Sequence, residues 1–343
     1  MKKLLAMILA LACVVSLAAC GESKPKKTED NKDADTQVEQ KKDQEDGKKD
    51  AESVLVPLNP TPSTVQVGDV TLTAEYLPLD EPFTAQNGSS PWMAKYGDTI
   101  YLGDGDKTVR EYKLSGTTLT RGATLSITNR SGLAVDAQGK IYADGGVGAA
   151  KIYNADGTQA GEAAATGNIY TSQTADFALT YFSGRDEVTK IAGGAAEPWV
   201  ISGLKGTSAE QKSPFNGILN CIEISGENVI VVGKTEDGSR MVVFDTAGKE
   251  LVRSEALKYA GITAASEAKW GYFLMASAII ELVGKDGKII GTAANTNSFF
   301  GLENAIWAKD AVMLSDGSVL LCGGVKGKDD AVAQIALYRI SGS

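Results

Sequence analysis

Eight aromatic, charged and amide side chains lie at the start of short apolar runs, at five points along this 343-residue chain. Aromatic faces can stack on a sugar ring, and guanidinium, ammonium and amide groups can hydrogen-bond its hydroxyls or hold a short peptide. The alternative is that the aromatic members pack in the core. The eight candidate binding residues are Trp92, Arg130, Asn168, Tyr170, Asn216, Trp307, Lys309 and Asp310.

Histidine is absent from the sequence, and this absence limits the chemistry that the chain can perform. A Ser-His-Asp triad, a His-ligated zinc and a His-ligated haem are all excluded. Mechanisms that use carboxylates alone remain possible, as does a Ca²⁺ held by oxygen ligands. We therefore expect no cofactor, with Ca²⁺ left open, and no catalytic residue is assigned.

The segment GDGDKT, around Asp104 and Asp106, is similar to the start of a calcium-binding loop. It lacks the glycine and glutamate that an EF-hand requires further along the loop. We interpret it as a solvated turn between two strands.

A repeat of about 45 residues organises the chain from Trp92 onward. Its clearest copy begins at Ser131 and reads SGLAVDAQGKIYADGGVGAAKIYNADGTQAGE, four strand candidates separated by turns. The interval from Gly139 to Gly226 is about twice the repeat length, and a degenerate copy that begins at Asn168 lies within it. The glycine between first and second strands recurs at Gly97, Gly139, Gly226, Gly271 and Gly317. This spacing predicts an all-β protein, a six-bladed β-propeller with four-stranded antiparallel blades.

The two ends of the repeat region predict how the ring closes. The last copy, which begins at Lys309, supplies only three clear strands. The segment VGDVTLTAEYLPL, from Val67, contains one convincing strand that belongs to no other blade. We expect this N-terminal strand to join the last blade, because a closed ring leaves no exposed sheet edge.

The copy from Ser131 resembles an NHL-type propeller blade. The residues that carry the resemblance are Gly132, Ala134, Val135, Asp136, Gly139, Ile141, Tyr142, Asp144, Asp156 and Gly157. The other copies replace the aspartate that follows the first strand, so the likeness extends to the fold and not to an activity. Propellers of this kind include sugar lactonases, lyases and binding scaffolds. The lactonase resemblance implies a channel metal, which Asn129, Asn216 and Glu303 would hold if they converge.

Two cysteines, Cys221 and Cys322, lie in apolar strand-like runs of the repeat region. The repeat places them two blades apart, which is too far for a disulfide. We expect both to be buried free thiols.

The first twenty residues, MKKLLAMILALACVVSLAAC, have two lysines before an apolar run and small residues before Cys20. They resemble a bacterial lipoprotein signal, with Leu17, Ala18, Ala19 and Cys20 as the lipobox. The resemblance implies cleavage of residues 1–19 and acylation of Cys20. An ordinary cleaved signal or a spanning helix are the alternatives. The protein would then be extracytoplasmic and lipid-anchored to the cell membrane, at a bacterial cell surface.

Residues 20–52 mix lysines with carboxylates and contain almost no large apolar side chain, which is typical of a disordered tether. Residues 53–343 form the propeller domain. The formal net charge of -9 argues against a nucleic-acid partner. We expect a monomer that contacts the membrane only through its lipid.

Together these observations favour a non-catalytic surface lipoprotein that binds an extracellular glycan, peptide or protein at the mouth of the propeller channel. The alternative is a hydrolase or lyase of the propeller lactonase type, which would use carboxylates and a divalent metal.

Overall fold

The computed structural model describes residues 58, 61–85, 90–170, 176–182, 187–199, 214–215, 219–303, 306–326 and 333–343. These residues form strands and one short 3-10 helix. None of the helices in this described part of the chain is long and apolar enough to cross a lipid bilayer.

Three strands precede the first complete blade: β1 (Ser63–Val67), β2 (Val70–Leu77) and β3 (Thr84–Ala85). Blade 1 contains β4 (Trp92–Tyr96), β5 (Thr99–Gly103), β6 (Thr108–Ser115) and β7 (Thr118–Ser126). Blade 2 contains β8 (Leu133–Val135), β9 (Ile141–Ala143), β10 (Ala150–Tyr153) and β11 (Gln159–Ala163). Blade 3 contains β12 (Asn168–Tyr170), β13 (Ala178–Phe182), β14 (Glu187–Ala192) and β15 (Ala195–Pro198).

Blade 4 contains β16 (Leu219–Ser225), β17 (Asn228–Thr235), β18 (Gly238–Asp245) and β19 (Glu250–Arg253). Blade 5 contains β20 (Ala264–Ala268), β21 (Gly271–Ala276), β22 (Ile279–Val283) and β23 (Ile289–Ala294), and the 3-10 helix Ser298–Phe300 follows it. Blade 6 takes β24 (Ile306–Met313), β25 (Val319–Lys326) and β26 (Ala333–Gly342) from the end of the chain. The prediction of six antiparallel blades is confirmed, and the degenerate copy from Asn168 forms blade 3.

The turn between the first and second strands of a blade explains why glycine marks the repeat. Gly97, Gly139, Gly226, Gly271 and Gly317 all have positive φ, a backbone region that other residues rarely adopt. At Gly271 a Cβ atom would also lie 2.2 Å from the carbonyl oxygen of Val283. Glycine is therefore required there by both conformation and space.

Blade 6 is completed by the N-terminal strands, as the sequence predicts. Strand β2 pairs with β26 in antiparallel register, from Leu72 opposite Gly342 to Leu77 opposite Leu337. Two further strands, which the sequence did not indicate, extend this closure: β1 pairs with the outer side of β2, and β3 pairs with the start of β26. Strand β1 alternates the exposed Thr64 and Gln66 with half-buried or buried residues and has only two apolar residues, and β3 has only two residues, so both give a weak signal in the sequence.

Six clusters of buried apolar side chains form the core of the described residues. Each cluster combines residues from two neighbouring blades. The cluster that contains Leu77, Met93, Ile100 and Leu320 joins blade 6 to blade 1. A row of six blades has five interfaces and a closed ring has six, so this last cluster shows that the ring is closed.

The two cysteines of the domain are free and buried, as expected. Cys221 lies on β16 of blade 4 and Cys322 on β25 of blade 6. Burial raises the pKa of both thiols, which keeps them protonated near neutral pH.

Candidate functional site

The innermost strands of all six blades begin on one face of the ring, which we call the entry face. A parallel bridge between Gly132 and Ile169 shows that β8 and β12 run in the same direction. The turns between second and third strands lie on this face too. Gly105, in the turn between β5 and β6, donates its backbone N–H to the side chain of Asn129, just before β8, at 2.7 Å. Trp92, Asn168 and Trp307 lie at or beside the start of their innermost strands, and therefore on the entry face.

Strand β24 is irregular at Lys309. Ala308 pairs with Gly323 and Asp310 pairs with Cys322, so Lys309 is an extra residue in a β-bulge. Bulges of this kind redirect side chains and are frequent beside functional sites. A Cβ atom on Gly323 would lie 2.6 Å from Ile306 and 2.9 Å from the Trp307 carbonyl oxygen, so the bulge requires glycine as its partner.

The ammonium group of Lys309 lies between two indole rings. Its Nζ is 5.1 Å from the centroid of Trp92 and 5.4 Å from the centroid of Trp307. Both distances are in the range of cation–π attraction. The two rings therefore hold the ammonium in a restricted position at the entry face.

Trp92 and Trp307 differ in their surroundings. Trp92 is 8% exposed and packs in the apolar cluster between blades 1 and 2 with Tyr101 and Leu133. Trp307 is 39% exposed, one of the most exposed large apolar side chains among the described residues. Trp307 therefore has a ring face available to a ligand.

Asp310 follows Lys309 and links blade 6 to blade 1. Its Oδ2 accepts the backbone N–H of Met93 at 2.7 Å. Burial among the surrounding residues raises the pKa of Asp310 to about 7, although the Met93 hydrogen bond and the nearby Lys309 charge both lower it. At neutral pH the carboxyl group is therefore close to its midpoint of titration and can accept or donate a hydrogen bond.

Tyr170, in blade 3, shares the centre of the ring with Asp310, in the opposite blade. Burial raises the pKa of Tyr170; Cys221, Tyr181 and Asp310 add to the rise, and a hydrogen bond with Asn168 opposes it. Asp310 also raises the pKa of Cys221, after burial and Glu223. Tyr170 is half-buried and packs against the apolar cluster between blades 3 and 4.

The structure therefore brings four of the eight candidate residues into one region: Trp92, Trp307, Lys309 and Asp310. Asn168 and Tyr170 lie on β12 in blade 3. Arg130 is engaged elsewhere. Its Nε and Nη2 donate to Asp106 at 2.9 and 2.8 Å, and its side chain is 62% exposed. Asn216 lies outside the described residues.

The residues proposed for a channel metal do not fit one. The side chain of Asn129 is fully buried and bonded to Gly105, Asp104, Thr108 and Ile127. Glu303 is exposed, and Asn216 lies outside the described residues. No group of three or more acidic or cysteine side chains in the described part of the chain is placed to hold a metal ion.

The segment GDGDKT forms a turn between β5 and β6, as predicted, but it is not simply solvated. Asp104 is 5% exposed, and its Oδ1 accepts the backbone N–H groups of Asp106 at 2.8 Å and Thr108 at 3.0 Å. This carboxylate shapes the turn and does not serve as a free ligand.

The sequence gives no indication of one contributor to the candidate site, the backbone N–H of Met93 that Asp310 accepts. It has no local signal, because the contact joins blades that are distant in sequence.

Searches of protein families and of curated proteins find no match to this chain. Among solved structures, the chain is similar to the β-propeller domain of Myceliophteria thermophila Cps50 (Swd1), with 9% identity and a TM-score of 0.47. The match covers 76% of this chain and 98% of that chain. The six-bladed architecture follows from the strand pairing described above.

Proposed function

We propose that this chain is a surface-tethered lipoprotein whose propeller binds an extracellular carbohydrate at the channel mouth and catalyses no reaction. The observation that carries the proposal is the exposed indole of Trp307 beside the ammonium of Lys309, above the half-buried Asp310. A flat apolar surface next to a few fixed polar groups is the usual composition of a small-ligand site.

A glycan suits this arrangement better than a peptide or protein surface. Trp307 offers one aromatic face, which matches the flat apolar face of a single sugar ring. Lys309 and Asp310 supply donors and acceptors for hydroxyl groups. Carboxylate and metal-dependent hydrolysis is a weaker candidate, because the residues that would hold the metal are engaged elsewhere or exposed.

Glycan-array binding followed by calorimetry on the purified protein tests this function. Trp307→Ala should weaken binding of a captured glycan by about 1 to 3 kcal/mol, since a desolvated stacking contact is lost. Tyr96→Ala is the matched control, because Tyr96 is an aromatic residue of similar exposure, 38%, at the far end of an innermost strand. Equal affinities of the two variants and the parent protein would refute the assignment of the site.

The surface location is supported by the sequence of residues 1–52, which lies outside the described residues. Cys20→Ser should release the protein into the medium or leave its signal uncleaved, because the variant has no thiol to acylate. Membrane fractionation and the mass of the mature protein measure the outcome. A variant that stays in the membrane fraction with its signal removed would contradict the lipid anchor.

A further inference from the structure

Within the part of the chain that the structure describes, the ammonium of Lys309 differs from the cationic groups of Arg130 and Lys151 in having no carboxylate partner. Arg130 is paired with Asp106 at 2.8 Å, and Lys151 is paired with Asp144 at 3.2 Å. No described acidic side chain lies within 4.0 Å of Lys309 Nζ. The two indole rings fix the position of the ammonium, and its N–H donors have no anionic acceptor among the described residues.

The nearest acidic neighbour, Asp310, does not neutralise this charge. Its Oδ2 is bonded to the backbone of Met93 at 2.7 Å, on the side of blade 1. The groups around Asp310 are Lys309, Tyr170, Cys221 and Cys322, of which Lys309 alone is cationic. A carboxyl group in this setting is partly protonated at neutral pH, so the positive charge of Lys309 prevails at the mouth.

We infer that the carbohydrate bound here is acidic: its ring packs on Trp307 and its carboxylate binds the ammonium of Lys309. This inference rests on the proposed carbohydrate-binding function. One ammonium matches one carboxylate, as in a uronic acid or another sugar acid at the end of a glycan. The formal net charge of -9 opposes long polyanions, so a single acidic unit is the better match.

A panel of acidic glycans, each paired with its carboxyl-reduced neutral counterpart, tests the inference by calorimetry on the full-length protein. The parent protein should bind the acidic member at least tenfold more tightly. Lys309→Gln should remove that preference and lower the melting temperature only slightly, since two cation–π contacts are lost, and Lys309→Arg should restore most of the preference. Lys151→Gln, on the same face but paired with Asp144, is the control and should have no effect on the preference.

The pattern of outcomes separates the two proposals. Equal affinity for acidic and neutral members, with loss of both in Trp307→Ala, would overturn the acidic ligand and keep the carbohydrate site. Binding that Trp307→Ala does not weaken would overturn the site. A parent protein that binds no glycan of the panel but binds a peptide would overturn both.

The pH dependence of binding provides a second readout. Asp310 loses its negative charge as the pH falls through about 7, so repulsion of a bound carboxylate decreases. The acidic glycan should bind more tightly at pH 6 than at pH 8, while its neutral counterpart should not follow this trend. An acidic glycan that binds more tightly at pH 8 would contradict the placement of its carboxylate beside Asp310.

Discussion

Trp92 and Trp307 contact the same ammonium group, yet one belongs to the core and the other faces solvent. Trp92 is fixed by the apolar cluster between blades 1 and 2, and Met93, the next residue, is bonded to Asp310. Trp307 lies on the other side of Lys309 with 39% of its surface exposed. Two tryptophans at the start of innermost strands can thus have opposite roles. Their burial distinguishes these roles, whereas their position in the repeat does not.

Replacing the buried tryptophan should give the largest effect. We expect Trp92→Ala to lower the free energy of unfolding by about 3 to 5 kcal/mol, because it leaves a cavity between two blades. Urea denaturation measures this loss. Trp307→Ala, measured beside it, should cost less than about 1 kcal/mol, and equal losses for the two variants would mean that both rings are core residues.

Asp310 should make stability depend on pH, with an intermediate effect. Its folded pKa of about 7 lies above the usual value of 3.8, so its stabilising contribution is present below pH 3.8 and is lost as the pH rises through 7. The slope is at most about 1.4 kcal/mol per pH unit. Asp310→Asn keeps an acceptor for Met93 and should remove this slope.

Thermal unfolding of the parent and Asp310→Asn proteins from pH 4 to pH 8 measures the difference. If both curves fall in parallel, the carboxyl group is not responsible. Because Asp310→Asn keeps an acceptor for the Met93 N–H, its stability at pH 4 should be close to that of the parent protein.

The smallest effect should come from Arg130→Ala. This guanidinium also lies before an innermost strand, but its ion pair with Asp106 is largely exposed, and such pairs contribute about 0 to 1 kcal/mol. Denaturation and glycan binding should both be close to those of the parent protein. A loss of affinity as large as that of Trp307→Ala would place Arg130 in the site after all.

Much of the fold was predictable from the sequence because its signals are local. The glycine turns at Gly139 and Gly317 mark the connection between the first and second strands of a blade through their own backbone conformation. The lone strand VTLTAEYL could be assigned to blade 6 because one blade lacked a strand. The polar strand β1 could not be predicted, since its pairing depends on β2 being already in place.

The site was less predictable because it depends on contacts between blades. Lys309 and Asp310 are candidates from the sequence because aligning the repeats on their turn glycines places them near the start of a first strand, and they lie within β24. The pairing of Arg130 with Asp106 depends on how the turn after β5 folds beside the start of β8, and the influence of Asp310 on Tyr170 requires a closed ring. Neither can be derived from a single repeat.

The pairing of β2 with β26 also determines the order in which the blades can form during folding. Thr71 and Ser343 exchange backbone hydrogen bonds of 3.0 and 3.1 Å, so β2 acquires its partner β26 only after blades 1 to 5 have been synthesised. Contacts between residues so far apart in sequence form slowly. Blades 1 to 5 can assemble one after another during synthesis, while β2 keeps an open edge until β26 has been made. That interval, rather than the finished ring, is when the chain is most vulnerable to aggregation.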